Sequence, residues 1–374
     1  SALSALTPAP ADAPAAARLR EAGCVILGKT TMPEYGWKGT SDSPATGITR
    51  NPWKPATTAG GSSSGAAALA ALRIGRLHVG TDAAGSVRIP AAFCGVAAFK
   101  STFGRVPAFP VSSMGVLAHL GPICPTARET ALAMNALGRP DARDMMAVLA
   151  DATDYLDGID DGVKGLRVAF SPRLGFEVEV DPDVAALTRA AASTFEALGA
   201  HVDEVDPGFA DPVAPLMTLW EAGAAQVLAG VAPERRAAMD PGFVALGAAG
   251  ANIPASRYVQ ALLYERNALA LHMARFHARY DLLLSPTMPL PAFEAGRLTP
   301  AHGRYGEVWT NWSPFTYPFN LTQQPAVSVP SGLTRDGLPA GLQIVAPFGA
   351  DRLALRAAVA FEAAAAPIGT PRLA

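Results

Sequence analysis

Charge is scarce in this chain. Only 17% of its 374 residues are charged, and the formal net charge is −2. No basic stripe is available to neutralise phosphates, which argues against a nucleic-acid partner, and no acidic block forms a tail. Cysteine is scarcer still: Cys24, Cys94 and Cys124 stand far apart, with no metal-ligand spacing. Cys24 and Cys94 lie in apolar runs, which predicts buried free thiols in a reducing, cytoplasmic setting. No apolar run is long enough to span a bilayer and no signal-peptide pattern occurs, so no membrane association is expected. His272 and His277 are five residues apart and do not share a helix face as metal ligands would; neither a metal nor a cofactor is expected.

What is present is apolar substance and tight loops. Half of the residues are hydrophobic, and there are 35 Gly and 33 Pro. Helical and extended patterns alternate along the chain. An N-terminal helix capped by Asp12 and stopped by Gly23 leads into an apolar run, CVIL, that reads as a buried strand. Thr126 and Glu129 form a capping box opening another helix, and LRVAFSP (166–172), HVDEV (201–205), DLLLSP, AVSVP and GLQIVA read as strands. The alternation predicts an α/β fold: one large domain over 1–374, with a mixed, mostly parallel central β-sheet covered by helices on both faces. The polar stretch after 139 and the helical middle read as an insertion, about 139–265, rather than a second domain.

Three motifs compete for the chemistry. GCVILGKT (23–30) matches the phosphate-binding pattern G-x-x-x-x-G-K-T. A phosphate loop needs strand, loop and helix in that order. Here the first glycine ends a helix, the four intervening residues are strand-like, and Pro33 falls where a helix should begin, so nucleotide binding is not supported. Gly61, Ser63 and Gly65 match the nucleophile elbow G-x-S-x-G. That elbow needs a strand running straight into it, and NPWKPATTA, with two prolines, precedes it instead. What remains is a pair of serine-bearing glycine loops, TAGGSSSGAAA (58–68) and GTDAAGSVRIPAA (80–92), whose serines Ser62 and Ser86 stand 24 positions apart. Taken singly, the first also reads as a flexible linker and the second as an ordinary turn.

Taken together they do not. GGSSSGAAALAALRIGRLHVGTDAAGSVRIPAAFCGVAAFKSTFGRVP (60–107) resembles the signature block of the amidase signature family, with a signature core of about 58–105. AARLREAGCVILGKTTMPEYG before it and FTYPFNLTQQPAVSVPSGLTRDGLPAGLQIVAP after it are similar to the family's flanking segments. The resemblance implies the amidase-signature fold and hydrolysis of a carboxamide to carboxylate plus ammonia or amine through an acyl-serine. It implies Ser86 as nucleophile and Ser62 as the cis-serine that relays its proton. It implies Ala83, Ala84, Gly85 and Ser86 as the oxyanion hole, where pre-aimed N–H groups stabilise the charge that develops on the carbonyl oxygen. Ser63, Thr81, Asp82 and Arg88 fall at supporting positions. Ala84 replaces a glycine of the usual pattern, so the hole forms only if that residue has negative φ. Trp309 and Trp312 are candidates to line an acyl pocket, with packing of their loop as the alternative.

The family's base is a lysine in an upstream V-K-D-like motif, and no such motif occurs here; Lys29, Lys38, Lys54 and Lys100 match other positions. The opening on Ser1, in SALSALTPAP, leads to the expectation that the natural protein continues N-terminally and that this chain by itself is poorly active. The expected partner is a small-molecule amide, and by analogy the resemblance suggests a homodimer. Two other readings stay open: a silent amidase-fold binding protein, and the glutamine-hydrolysing component of a tRNA-dependent amidotransferase. RYGEVWTNWSPFTYPFNLT departs from the Tyr-x-x-Asp-like pattern of that component.

Overall fold

The computed structural model describes residue 3 and residues 8–372. Helix α1 (Pro14–Glu21) comes first; its N-cap is Ala13, and Asp12 pairs with Arg20 rather than capping it. A short hairpin, β1 (Asp42–Ser43) and β2 (Gly47–Ile48), lies within the irregular region before α2 (Ser64–Ala71). Then follow β3 (His78–Asp82), α3 (Arg88–Cys94), β4 (Ala97–Lys100), β5 (His119–Cys124) and α4 (Ala127–Leu137). Thr126 caps α4 as its motif predicts, accepting the Glu129 N–H at 3.2 Å. Next come β6 (Arg167–Phe170), α5 (Pro182–Ala197) and β7 (His201–Glu204). The Asp181 side chain caps α5 by accepting from the N–H groups of Asp183 and Val184. Helices α6 (Val213–Ala229), α7 (Pro241–Gly250), α8 (Ala255–Val259) and α9 (Arg266–His277) precede β8 (Leu282–Pro286) and α10 (Pro318–Leu321). The chain closes with β9 (Ala326–Leu333), β10 (Pro339–Val345) and α11 (Asp351–Ala364).

One sheet of eight strands organises the molecule, in the order β3-β5-β4-β9-β10-β8-β6-β7. It is mixed, as expected, but not mostly parallel. Only β8–β6 and β6–β7 run parallel; the other neighbours are antiparallel. Apolar runs report burial on both faces and carry no information about strand direction. Within the range expected as an insertion, about 139–265, β6 and β7 pair in the main sheet, and helices α6 to α9 run from 213 to 277. Helix α7 has no amphipathic pattern to announce it, since PGFVALGAAG is small and apolar throughout.

Alternation along the central strands separates two covered faces. Phe99, Val168, Leu282, Leu284, Val327, Val329, Leu342 and Ile344 join α4, α5 and α11 in one core. The intervening residues Ala98, Ala169, Leu283 and Ala326 face the other way, toward separate clusters. On that second face α2 and α3 approach closely through Ala66, Ala67, Ala70, Ala91 and Cys94. The same face carries buried polar residues where an apolar core would continue, namely Ser285, Ser328 and Gln343.

The strand expected at CVIL does not form. Residues 22–32 are irregular, Val25 and Leu27 are 84% and 78% exposed, and Cys24 is exposed rather than buried. A strand exists only through hydrogen bonds to a neighbour, and no described segment pairs with these residues.

Candidate active site

Two turns of the second face meet. The Ser63 N–H donates to the Ser86 carbonyl oxygen at 3.1 Å, tying the start of α2 to the loop before α3. The Gly61–Ser62 peptide is cis. Ser62 and Ser86 are nearly enclosed, and among the described residues neither hydroxyl makes a hydrogen bond. Ser62 Oγ lies 3.0 Å from where a Cβ on Gly36 would stand, so the 34–42 segment forms the wall beside it.

The loop before Ser86 is fixed from beneath. Asp82 Oδ1 accepts the Gly85 N–H at 2.7 Å, and Oδ2 accepts the Val87 N–H at 3.3 Å. Gly85 has φ +122, and a Cβ there would stand 2.3 Å from Thr316 Oγ1, so only glycine fits. Ala84 has no positive φ, and the condition on its replacing a glycine is met. Of the four residues expected to form the oxyanion hole, Gly85 does not offer its N–H, because Asp82 holds it. The N–H groups of Ala83, Ala84 and Ser86 donate to nothing among the described residues.

Arg88 and Asp82 form an ion pair with no exposed surface. All five N–H donors of Arg88 are used: Nε and Nη2 reach Asp82 at 3.0 and 2.9 Å, Nη1 reaches Thr316 O and Gln343 Oε1, and Nη2 also reaches Asn320 Oδ1. Burial alone would raise the Asp82 pKa, but Arg88, Lys100 and Asn320 outweigh it and hold the carboxyl ionised well below the usual range. Thr316 Oγ1 donates to the Ala84 carbonyl at 2.7 Å, clamping the loop from its other side. Thr316, Asn320 and Gln343 are not legible as site residues in the sequence. They lie more than 220 positions from the loop, and their one local mark is a polar residue inside an apolar stretch.

Other expected residues are placed differently. The Thr81 side chain is exposed, and only its carbonyl takes part, accepting from Ser63 Oγ at 3.4 Å. Trp309 and Trp312 are core residues: Trp312 is fully buried, packs on Phe93 and Phe293, and donates its indole N–H to Leu298 O at 3.0 Å. A cavity of about 580 Å³ opens beside their loop, lined by Asp211, Tyr305, Asn311 and Pro314 among others, but neither tryptophan and neither serine lines it. Among the described residues no lysine amine bonds either serine. Lys38 sits between Asp42 and Asp240 at 2.5 and 2.9 Å. Lys100, pushed well below the ordinary lysine pKa by burial and then by Arg88, donates to the carbonyls of Gln324 and Ser101.

A family model described as Amidase matches residues 1–355. The chain belongs to the amidase family. It is 37% identical to an acylamidase of Rhodococcus erythropolis, over 92% of this chain and 73% of that protein. It is 31% identical to a glutamyl-tRNA(Gln) amidotransferase component of Streptococcus pneumoniae, over 94% of this chain and 76% of that protein. Among solved structures, it resembles a bacterial aryl acylamidase of the amidase signature enzymes, with a TM-score of 0.86, 31% identity and coverage of 95% and 76%. It also resembles the substrate complex of 6-aminohexanoate cyclic dimer hydrolase, with a TM-score of 0.88, 30% identity and coverage of 97% and 80%. This amidase is therefore a hydrolase of carboxamide C–N bonds, and no helix among its described residues is long and apolar enough to cross a membrane.

Proposed function

We propose that this amidase cleaves a small or medium acyl amide through an acyl-enzyme on Ser86. As the Ser86 oxygen bonds to the amide carbon its proton passes to Ser62, whose own proton goes to the leaving nitrogen as the C–N bond breaks. The free N–H groups of Ala84 and Ser86 receive the oxyanion, and water then cleaves the acyl ester by the same relay, releasing the acid and restoring Ser86. The observation supporting this reading is the 3.1 Å bond from Ser63 N–H to Ser86 O, which ties the turn that carries Ser62 to the turn that carries Ser86 and its uncommitted backbone N–H groups. The acyl-amide class is supported by the similarity to an acylamidase and an aryl acylamidase. The buried apolar cluster that includes Ala83, Ala84, Trp37 and Met114 supports an apolar acyl group. A small-molecule substrate, a cytoplasmic setting and a homodimer complete the proposal; the setting is supported by three free cysteines.

A fluorophosphonate probe tests it directly. The expected result is covalent label on Ser86 alone, abolished in Ser86→Ala. A Ser86→Ala variant that labels as well as the parent refutes the assignment. Acetanilide hydrolysis, followed by aniline release, measures the acyl-amide preference against glutamine.

A further inference from the structure

Asn320 sits where the supporting network and the oxyanion loop join. It is fully buried in the four-residue helix α10. Its Oδ1 accepts from Arg88 Nη2 at 2.7 Å, which fixes the orientation of the amide. Its Nδ2 therefore faces Asp82 and meets that residue twice, at the carbonyl oxygen (2.9 Å) and at Oδ1 (2.8 Å). The same Asp82 Oδ1 holds the Gly85 N–H. Asn320, 238 positions from Asp82, thus grips both the main chain and the carboxylate of the residue that opens the loop. Among the described residues no other side chain does both.

We propose that Asn320 is a positioning residue for acyl transfer. It holds Asp82 in the one orientation that takes up the Gly85 N–H and leaves the Ala84 and Ser86 N–H groups turned toward the reacting carbonyl. Without the two Nδ2 contacts, Asp82 keeps its ion pair with Arg88 but can rotate about it. The loop then loses the aim of its donors, while the fold keeps its main charge pair. This inference rests on Ser86 being the nucleophile.

Phenylboronic acid separates the two. It forms a tetrahedral anionic adduct on an activated serine and so reads the oxyanion donors, whereas benzamide reads ground-state binding only. Asn320→Asp keeps the shape and the acceptor toward Arg88 but replaces both donors by an oxygen facing Asp82. Asn320→Ala removes both. Each variant is expected to bind phenylboronic acid at least tenfold more weakly than the parent, with benzamide affinity within twofold. Equal weakening of both ligands would reduce Asn320 to a packing role, and unchanged phenylboronic acid affinity would remove it from catalysis. Should Asn320→Ala fail to fold, the isosteric Asn320→Asp decides alone. A parent chain that binds phenylboronic acid no better than Ser86→Ala overturns the nucleophile assignment, and this inference with it.

Discussion

Arg88 holds both carboxylate oxygens of Asp82, at 2.9 and 3.0 Å, with neither residue exposed to solvent. Taking two charges out of water is costly, and such a pair is tolerated only when every remaining donor and acceptor is satisfied. Here Thr316, Asn320 and Gln343 supply that satisfaction, and the consequence is positional, because Asp82 also binds the Gly85 and Val87 N–H groups. Arg88→Lys keeps the charge but cannot reproduce a five-donor fork. It is expected to cost about 2–4 kcal/mol of stability through the hydrogen bonds that lysine cannot make, measured by denaturant unfolding. A loss under about 1 kcal/mol would contradict the network described.

The two serines should separate in their effects. Ser86→Ala removes the proposed nucleophile and should abolish probe labelling. Ser62→Ala leaves that atom but removes the proton path, and should slow labelling by about 10²–10⁴-fold. Thermal midpoints of both should stay near the parent value. Equal labelling of Ser62→Ala and parent would exclude Ser62 from proton transfer.

Gly36 offers a steric test of the same place. It has φ +66, and a Cβ there would press Ser62 Oγ at 3.0 Å and Met32 Cε at 3.3 Å. Gly23 has a similar φ of +82 but open space around it. Gly36→Ala and Gly23→Ala should both lose about 1–2 kcal/mol to the left-handed backbone. Only Gly36→Ala should slow Ser86 labelling, by tenfold or more. Equal slowing in both would assign the effect to strain rather than to the Ser62 wall.

Stability against pH holds two opposed contributions over one window. Burial lowers the His277 pKa from 6.5 to about 4, with its Nδ1 against Tyr280 O. The unfolded chain takes up that proton first, so this contribution is lost as pH falls from 6.5 toward 4. Burial raises the Glu362 pKa from 4.5 to about 7, despite the Ala127 N–H that it accepts. The unfolded chain releases that proton first, so stability falls as pH rises from 4.5 toward 7. Glu362→Gln should therefore make stability rise more steeply with pH between 4.5 and 6.5, and His277→Phe should flatten or reverse it. Urea unfolding at half-unit pH steps measures both slopes; parallel curves for the two variants would contradict the assignment.

Local pattern was enough to specify the family, the two serine loops and most elements. Glycine at fixed spacing in GTDAAGS, the Thr126 cap, and apolar alternation in LRVAF and AVSVP all act within a few residues of chain. The remaining features depend on what distant segments meet. Strand direction follows from which neighbour each strand finds, and CVIL found none. Trp312 went into the core because Phe93 and Phe293 were there to receive it, and Trp309 because Trp220 was. The clamp of Thr316, Asn320 and Gln343 on the Ser86 loop exists because β10 packs against α3 and the 316–320 segment reaches Arg88 at the start of α3. A hydrogen bond between residues more than 220 positions apart leaves no periodicity in either segment, so no local pattern records it.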